Sequence, residues 1–224
     1  MPSPLYIFDM DDTLIDGDCS MLWNQFLVDK GFVKDPDFLT TDQKLMALYG
    51  VGKLDMEAYL AFTMQPLAAM PCTKVDELVA QFVAEYVEPR VFKEAQALLA
   101  DLKAKQIPMV IISATVSFIV TQVAKSLGVE HALGIDMAVI GDHYSAQIVG
   151  IPSYRQGKIA RLEQWINAQQ SDFSALHFYT DSINDLPLCE YADHAYLINP
   201  CQQLEQAAQG KNWQIYHWNT RALA

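Results

Sequence analysis

The sequence is poor in positive charge. It holds 15 lysines and arginines against 27 aspartates and glutamates, a formal net charge of −12. No basic stripe is available to neutralise a phosphate backbone, which argues against a nucleic-acid binder. The same balance disfavours an anionic membrane surface. Long apolar runs are also missing, and none approaches the roughly 20 residues of a membrane span. The opening Met1-Pro2-Ser3-Pro4 has neither the basic nor the apolar region of a signal peptide, so the expected location is cytoplasmic. The four cysteines, Cys19, Cys72, Cys189 and Cys201, form no CxxC pair and read as free thiols. The histidines His131, His143, His177, His194 and His217 show no ligand spacing. Residues 31 to 88 contain no arginine, and their basic residues are Lys34, Lys44, Lys53 and Lys74.

What is present is apolar bulk and a cluster of acids. A chain of 224 residues, 51% hydrophobic, can bury a sizeable core in one large domain or a domain with an insert. The run Leu5-Tyr6-Ile7-Phe8 reads as a buried strand, and it ends abruptly in Asp9, Asp11, Asp12 and Thr13. Desolvating clustered like charges inside a strand is costly. The carboxylates therefore mark the strand's open end, where α/β sheets bind ligands. Asp9 and Asp11 lie two residues apart, so both can face one cavity as the strand ends.

Helical spacing follows. Cys19–Lys30, Thr40–Tyr49, Asp55–Met64 and Thr73–Glu88 read as helices. Gly31 stops the first, Asp55 caps the third, and Thr73 caps the fourth with Asp76 three residues on. From residue 89 the pattern alternates. Helices are expected at 91–106, 117–127, 156–168 and 200–208, with a short one after Asp185. Strands are expected at 107–112, 132–140, 145–149, 175–179, 194–198 and 213–218. The fold expectation is an α/β protein: a Rossmann-like parallel sheet with helices on both faces, and an all-helical cap inserted after the first strand. The core comprises 1–15 and 89–224 and the cap 16–88, where an insertion sits over the carboxylates like a lid.

Polar groups stand at three strand ends: Asp9 with Asp11, Ser113, and Asp181 with Asp185. Lys158 opens a helix. Asp9-Met10-Asp11-Asp12-Thr13 matches the DxDxT motif of the haloacid dehalogenase superfamily. Ile112-Ser113-Ala114-Thr115 resembles its second motif, Lys158 its third-motif lysine, and Asp181-Ser182-Ile183-Asn184-Asp185 its acidic fourth motif. The four occur in order over essentially the whole chain. The helical insertion is similar to the lid of the phosphoserine-phosphatase-like branch (subfamily IB).

The resemblance implies a phosphoric monoester hydrolase. Asp9 would be the nucleophile, forming an aspartyl-phosphate, and Asp11 the acid and base at the leaving oxygen. Mg²⁺ would be the cofactor, held by the side chains of Asp9 and Asp181 and the carbonyl of Asp11. Asp185 would be a direct ligand or act behind one. Ser113, the N–H of Ala114 and Lys158 would hold the phosphoryl oxygens. Asp12 reads as a bystander and Thr13 as a loop hydrogen-bonder. Three further residues carry two readings each. Asp18 is a helix N-cap or a partner for a substrate ammonium. Asn184 contacts Lys158 or phosphate, or caps a turn. Arg155 is a solvated charge or reaches a substrate anion.

The partner expected is a small phosphomonoester, with no nucleic acid and no membrane; nothing in the sequence sets an oligomeric state. Candidates are phosphoserine, histidinol phosphate, phosphocholine and phosphoethanolamine. Phosphoserine fits poorly, because a lysine does not grip a carboxylate bidentately and the insert has no arginine. The aromatic and methionine-rich insert suits an amine-bearing or moderately apolar leaving group. The alternatives are a phosphotransferase or mutase on the same fold, and a catalytically silent phosphate-binding module.

Overall fold

The computed structural model describes residues 2–50, 52–169 and 172–219. Seven described strands form one sheet: β1 (Leu5–Phe8), β2 (Met109–Val116), β3 (His131–Ile140), β4 (His143–Val149), β5 (Leu176–Thr180), β6 (His194–Ile198) and β7 (Gln214–Tyr216). Their order is β4-β3-β2-β1-β5-β6-β7. The central strand β1 runs parallel to β2 on one side and β5 on the other. The sheet is not wholly parallel, because β4 returns antiparallel to β3 through a short hairpin containing Gly141 at φ +67°.

Period-two alternation divides β1 and β2 between two apolar layers. Leu5, Ile7, Val110 and Ile112 face one cluster, and Phe8, Met109 and Ile111 the other. Leu5, Ile7 and Phe8 are fully buried, each contributing about 1.5–3 kcal/mol. Helices α5 (Lys93–Ala104), α6 (Ser117–Leu127), α7 (Gln156–Gln169), α8 (Leu186–Tyr191) and α9 (Gln202–Ala207) pack into these layers, and Trp23, Phe26, Leu60 and Phe82 join the cluster of Phe8. Among the described residues no helix is long and apolar enough to cross a membrane.

Between β1 and α5 lie α1 (Cys19–Asp29), α2 (Phe38–Gly50), α3 (Met56–Thr63) and α4 (Cys72–Phe82). The chain enters and leaves this segment through a two-stranded neck. Asp16 N–H donates to the Arg90 carbonyl (2.8 Å) and Phe92 N–H to the Leu14 carbonyl (3.0 Å). Asp18 and Asp55 cap α1 and α3 through their side chains. Thr73 does not cap α4. The helix starts at Cys72 behind Pro71, and the Cys72 N–H donates to the Asp142 carbonyl of the β3–β4 turn (2.6 Å). A tertiary acceptor thus replaces the side-chain cap. Strand β2 also outruns its expected end: Ser113, Ala114 and Thr115 remain in the strand, with a register shift against β3 between Ile112 and Val116.

Candidate active site

The site follows from β1 lying between β2 and β5. Parallel neighbours end at one edge, so Asp9, the 113–115 stretch and Asp181 arrive together. Asp9 is fixed by its own N–H, which donates to the Tyr179 carbonyl (2.9 Å).

Lys158, at the start of α7, is the described ammonium at the centre of this edge. It is 2% exposed and lies 2.6 Å from Asp9 Oδ1 and 2.7 Å from Asp185 Oδ2. Thr180 Oγ1 donates to the same Asp185 oxygen (2.7 Å). Thr13 Oγ1 stands 3.2 Å from Asp181 Oδ1 and 3.5 Å from Asp9 Oδ2, between the two carboxylates. Asp11 accepts from Cys19 N–H (2.7 Å), Ser113 Oγ (3.0 Å) and Thr115 Oγ1 (2.8 Å). Ser113 Oγ also receives the Thr115 N–H (3.0 Å), and the Ser113 carbonyl accepts from Ser153 Oγ (2.5 Å).

Charge in this cluster is out of balance. Four carboxylates (Asp9, Asp11, Asp181, Asp185) face one ammonium. Burial pushes the Asp9 carboxyl up to about 8, Lys158 opposing while Asp185 and Asp11 add to the rise. Burial, then Asp9 and Asp12, drive Asp181 well above the ordinary carboxylate range. Burial works against the Lys158 ammonium, yet Asp185 and Asp9 outweigh it and raise its pKa. A net excess of buried negative charge is what a divalent cation would relieve. Among the described residues no three acidic, histidine or cysteine side chains form a ready-made cage. Mg²⁺ is commonly held by one or two carboxylates, with waters and substrate oxygens completing its shell. Asp9, Asp181 and the Asp11 carbonyl fit such an ion by chemistry. Asp185 is engaged with Lys158 and Thr180.

A cavity of about 50 Å³ opens above these groups. Its floor is Asp9, Asp11, Asp12, Ala114, Thr115, Asp181 and Ser182; its other walls are Asp18, Ser20, Met46, Tyr49, Leu54, Met56 and Tyr59 from the helical segment. No lysine or arginine is among them. Asp18 holds both of its readings at once: one carboxylate oxygen caps α1 by accepting Met21 N–H (2.9 Å), and the residue also lines the cavity. Burial, then Asp11, pushes its pKa up. Asp12 takes φ +52° at the loop's turn and is exposed.

Arg155 and Asn184 are not in that cavity wall. Arg155 donates to the Gly52 carbonyl and to Asn184 Oδ1, and Asn184 Nδ2 to the Tyr49 carbonyl. Sequence reasoning passed over Thr115, Ser20, Ser153 and the hydroxyl of Thr180. Thr115 carried a usable signal, since it stands two residues after Ser113 and shares its strand face. Ser153 carried none, because only the fold brings it to β2.

Comparison with known proteins agrees with this geometry. The family described as haloacid dehalogenase-like hydrolase matches residues 6–190. A histidinol-phosphatase of Neisseria meningitidis is 32% identical over 219 residues, covering 96% of this chain and 98% of the relative. A phosphoserine phosphatase of Mycobacterium tuberculosis is 25% identical over 93% of this chain and 68% of its own length. A Bordetella pertussis protein of unknown function superposes with a TM-score of 0.88 at 30% identity, covering 96% of this chain and 98% of the other. A phosphoserine phosphatase carrying a phospho-aspartyl intermediate analogue superposes with a TM-score of 0.68 at 17% identity, over 96% and 94%, a likeness of fold. The chain belongs to the haloacid dehalogenase-like hydrolase family and has the fold of its phosphoserine-phosphatase-like members.

Proposed function

We propose that this protein is a Mg²⁺-dependent phosphatase that hydrolyses a small phosphomonoester through an aspartyl-phosphate on Asp9. The observation that carries the reading is the buried Asp9–Lys158–Asp185 ion-paired core, whose Asp9 forms the floor of one cavity together with Asp11 and Asp181. An Asp9 oxygen attacks phosphorus and the ester oxygen leaves with a proton from Asp11. Asp11 then takes a proton from water as that water attacks the phospho-aspartate, releasing inorganic phosphate and regenerating Asp9. Lys158, Ser113 and the N–H of Ala114 hold the phosphoryl oxygens. Asp9, Asp181 and the Asp11 carbonyl would hold Mg²⁺, with Asp185 acting through Lys158. The ion supplies the positive charge that lets a carboxylate approach a phosphate dianion. Residues 16–88 serve as a lid over a core of residues 1–15 and 89–224.

The cavity walls speak to the substrate. Asp18, Tyr49 and Tyr59 with Met46 and Met56 suit a leaving group that is cationic and partly aromatic. A substrate carboxylate would meet carboxylates and no cation. Histidinol phosphate is therefore the first substrate to test, ahead of phosphocholine and phosphoethanolamine, with phosphoserine last; the Neisseria relative's name points the same way. The test is phosphate release from this panel and from p-nitrophenyl phosphate. Turnover should stop with EDTA, return with Mg²⁺, and fall at least a thousandfold in Asp9→Asn. Full activity in Asp9→Asn would refute the mechanism.

A further inference from the structure

The cavity over Asp9 holds about 50 Å³, far below the roughly 300 Å³ of a small ligand pocket. The structure is thus of a shut site, and some wall must move to admit substrate. A second, more open cleft of about 360 Å³ lies nearby, its lining including Gly50, Gly52, Arg155 and Asn184. Between cavity and cleft runs the apex of the α2–α3 hairpin. Tyr49 faces the inner cavity, and Gly50 and Gly52 the outer cleft.

This apex is tied to the core by side chains. Asn184 Nδ2 donates to the Tyr49 carbonyl (3.1 Å). The Arg155 guanidinium donates to the Gly52 carbonyl and, through Nε, to Asn184 Oδ1 (3.3 Å). It also sits over the Tyr154 ring (5.1 Å), which stacks on Tyr49 (5.5 Å between centroids). The local backbones are shaped for the contact. Gly52 has φ +68°, and a Cβ there would collide with the guanidinium. Arg155 itself sits at φ +53°, a cost for a non-glycine residue that surrounding contacts must sustain. The tie also springs from the catalytic segments. Arg155 is three residues before Lys158, and Asn184 precedes Asp185, the partner of Lys158.

We infer that Arg155 and Asn184 are positioning residues that, through the carbonyls of Tyr49 and Gly52, clasp these two residues shut over Asp9, and that substrate enters from the outer cleft when this clasp parts. The link to turnover rests on the phosphatase reading above; the clasp itself does not. Lys53, exposed and one residue past the apex, reports on it. Trypsin cleavage after Lys53, located by mass spectrometry, should be slow in the wild type and slower with Mg²⁺ and orthovanadate. It should accelerate at least tenfold in Arg155→Ala and in Asn184→Ala at an unchanged unfolding midpoint, with Arg155→Lys between. KM for p-nitrophenyl phosphate should rise several-fold in Arg155→Ala while kcat stays within about twofold. Equal cleavage in the wild type and both alanine variants would overturn the clasp. Faster cleavage with unchanged KM would overturn its link to the reaction. Absence of phosphate release by the wild type would overturn the phosphatase reading and leave the cleavage result to judge the clasp.

Discussion

Replacing Lys158 with methionine tests the central charge arrangement most directly. The ammonium is buried and shared by Asp9 and Asp185 at 2.6 and 2.7 Å. Methionine has similar length and no charge, so the change removes the cation without opening a large void. Two buried carboxylates are then left without a counter-ion. Removing one partner of a buried pair costs about 3–5 kcal/mol. For a chain of 224 residues, each kcal/mol lowers Tm by roughly 2–4 °C, so the expected fall is about 6–20 °C. Calorimetry in EDTA is the assay, because it isolates the protein's own charges.

The pH dependence has a definite sign. A carboxyl whose folded pKa is raised, as burial raises Asp9 to about 8, contributes most below its unfolded value near 3.9. That contribution is lost as pH rises through the folded value. Without Lys158, which opposes that rise, the folded value of Asp9 goes higher still. The part of the Lys158→Met deficit that comes from Asp9 should therefore be small at acid pH and grow as pH rises through about 8. Adding Asp185→Asn removes one of the stranded charges while keeping an oxygen to accept from Thr180. The double variant should recover about 1–3 kcal/mol relative to the single one. A loss under about 1 kcal/mol, or a double variant no more stable than Lys158→Met, would refute the reasoning.

Two further substitutions probe the acid–base and substrate roles. Thr115→Val removes one hydroxyl donor to Asp11; a bond to a charged group is worth about 1.5–3 kcal/mol, so turnover of an alkyl phosphate should fall tenfold or more. The loss should be smaller on p-nitrophenyl phosphate, whose leaving group needs no protonation, and an equal loss on both would dissociate Thr115 from the acid step. Asp18→Asn keeps the cap on α1 but removes the charge facing the cavity. KM for an amine-bearing phosphoester should rise about tenfold, the effect of about 1.4 kcal/mol, with p-nitrophenyl phosphate unaffected; no change on either would reduce Asp18 to its capping role.

Much of this arrangement is written locally. Leu5–Phe8 announces a strand by its apolar content, and the acids that follow announce its end, because buried like charges cannot continue a strand. Gly128 at φ +72° ends α6, and Asp55 caps α3, both legible from single residues. Thr73 misled because Cys72 finds its acceptor in a hairpin about 70 residues away. The end of β2 misled because polar Ser113 and Thr115 resemble a loop. They stay in the strand because Asp11 receives both hydroxyls.

By itself the sequence determined the order of elements, the α/β class and the residue types at the strand ends, since periodicity and desolvation cost act within a few residues. Only the tertiary structure decided how the charges are shared. It set one buried ammonium between Asp9 and Asp185, Thr13 between Asp9 and Asp181, and the Arg155 guanidinium on the Gly52 carbonyl. Those pairings join residues up to 168 positions apart, and their strength depends on burial and angle, which no local pattern carries.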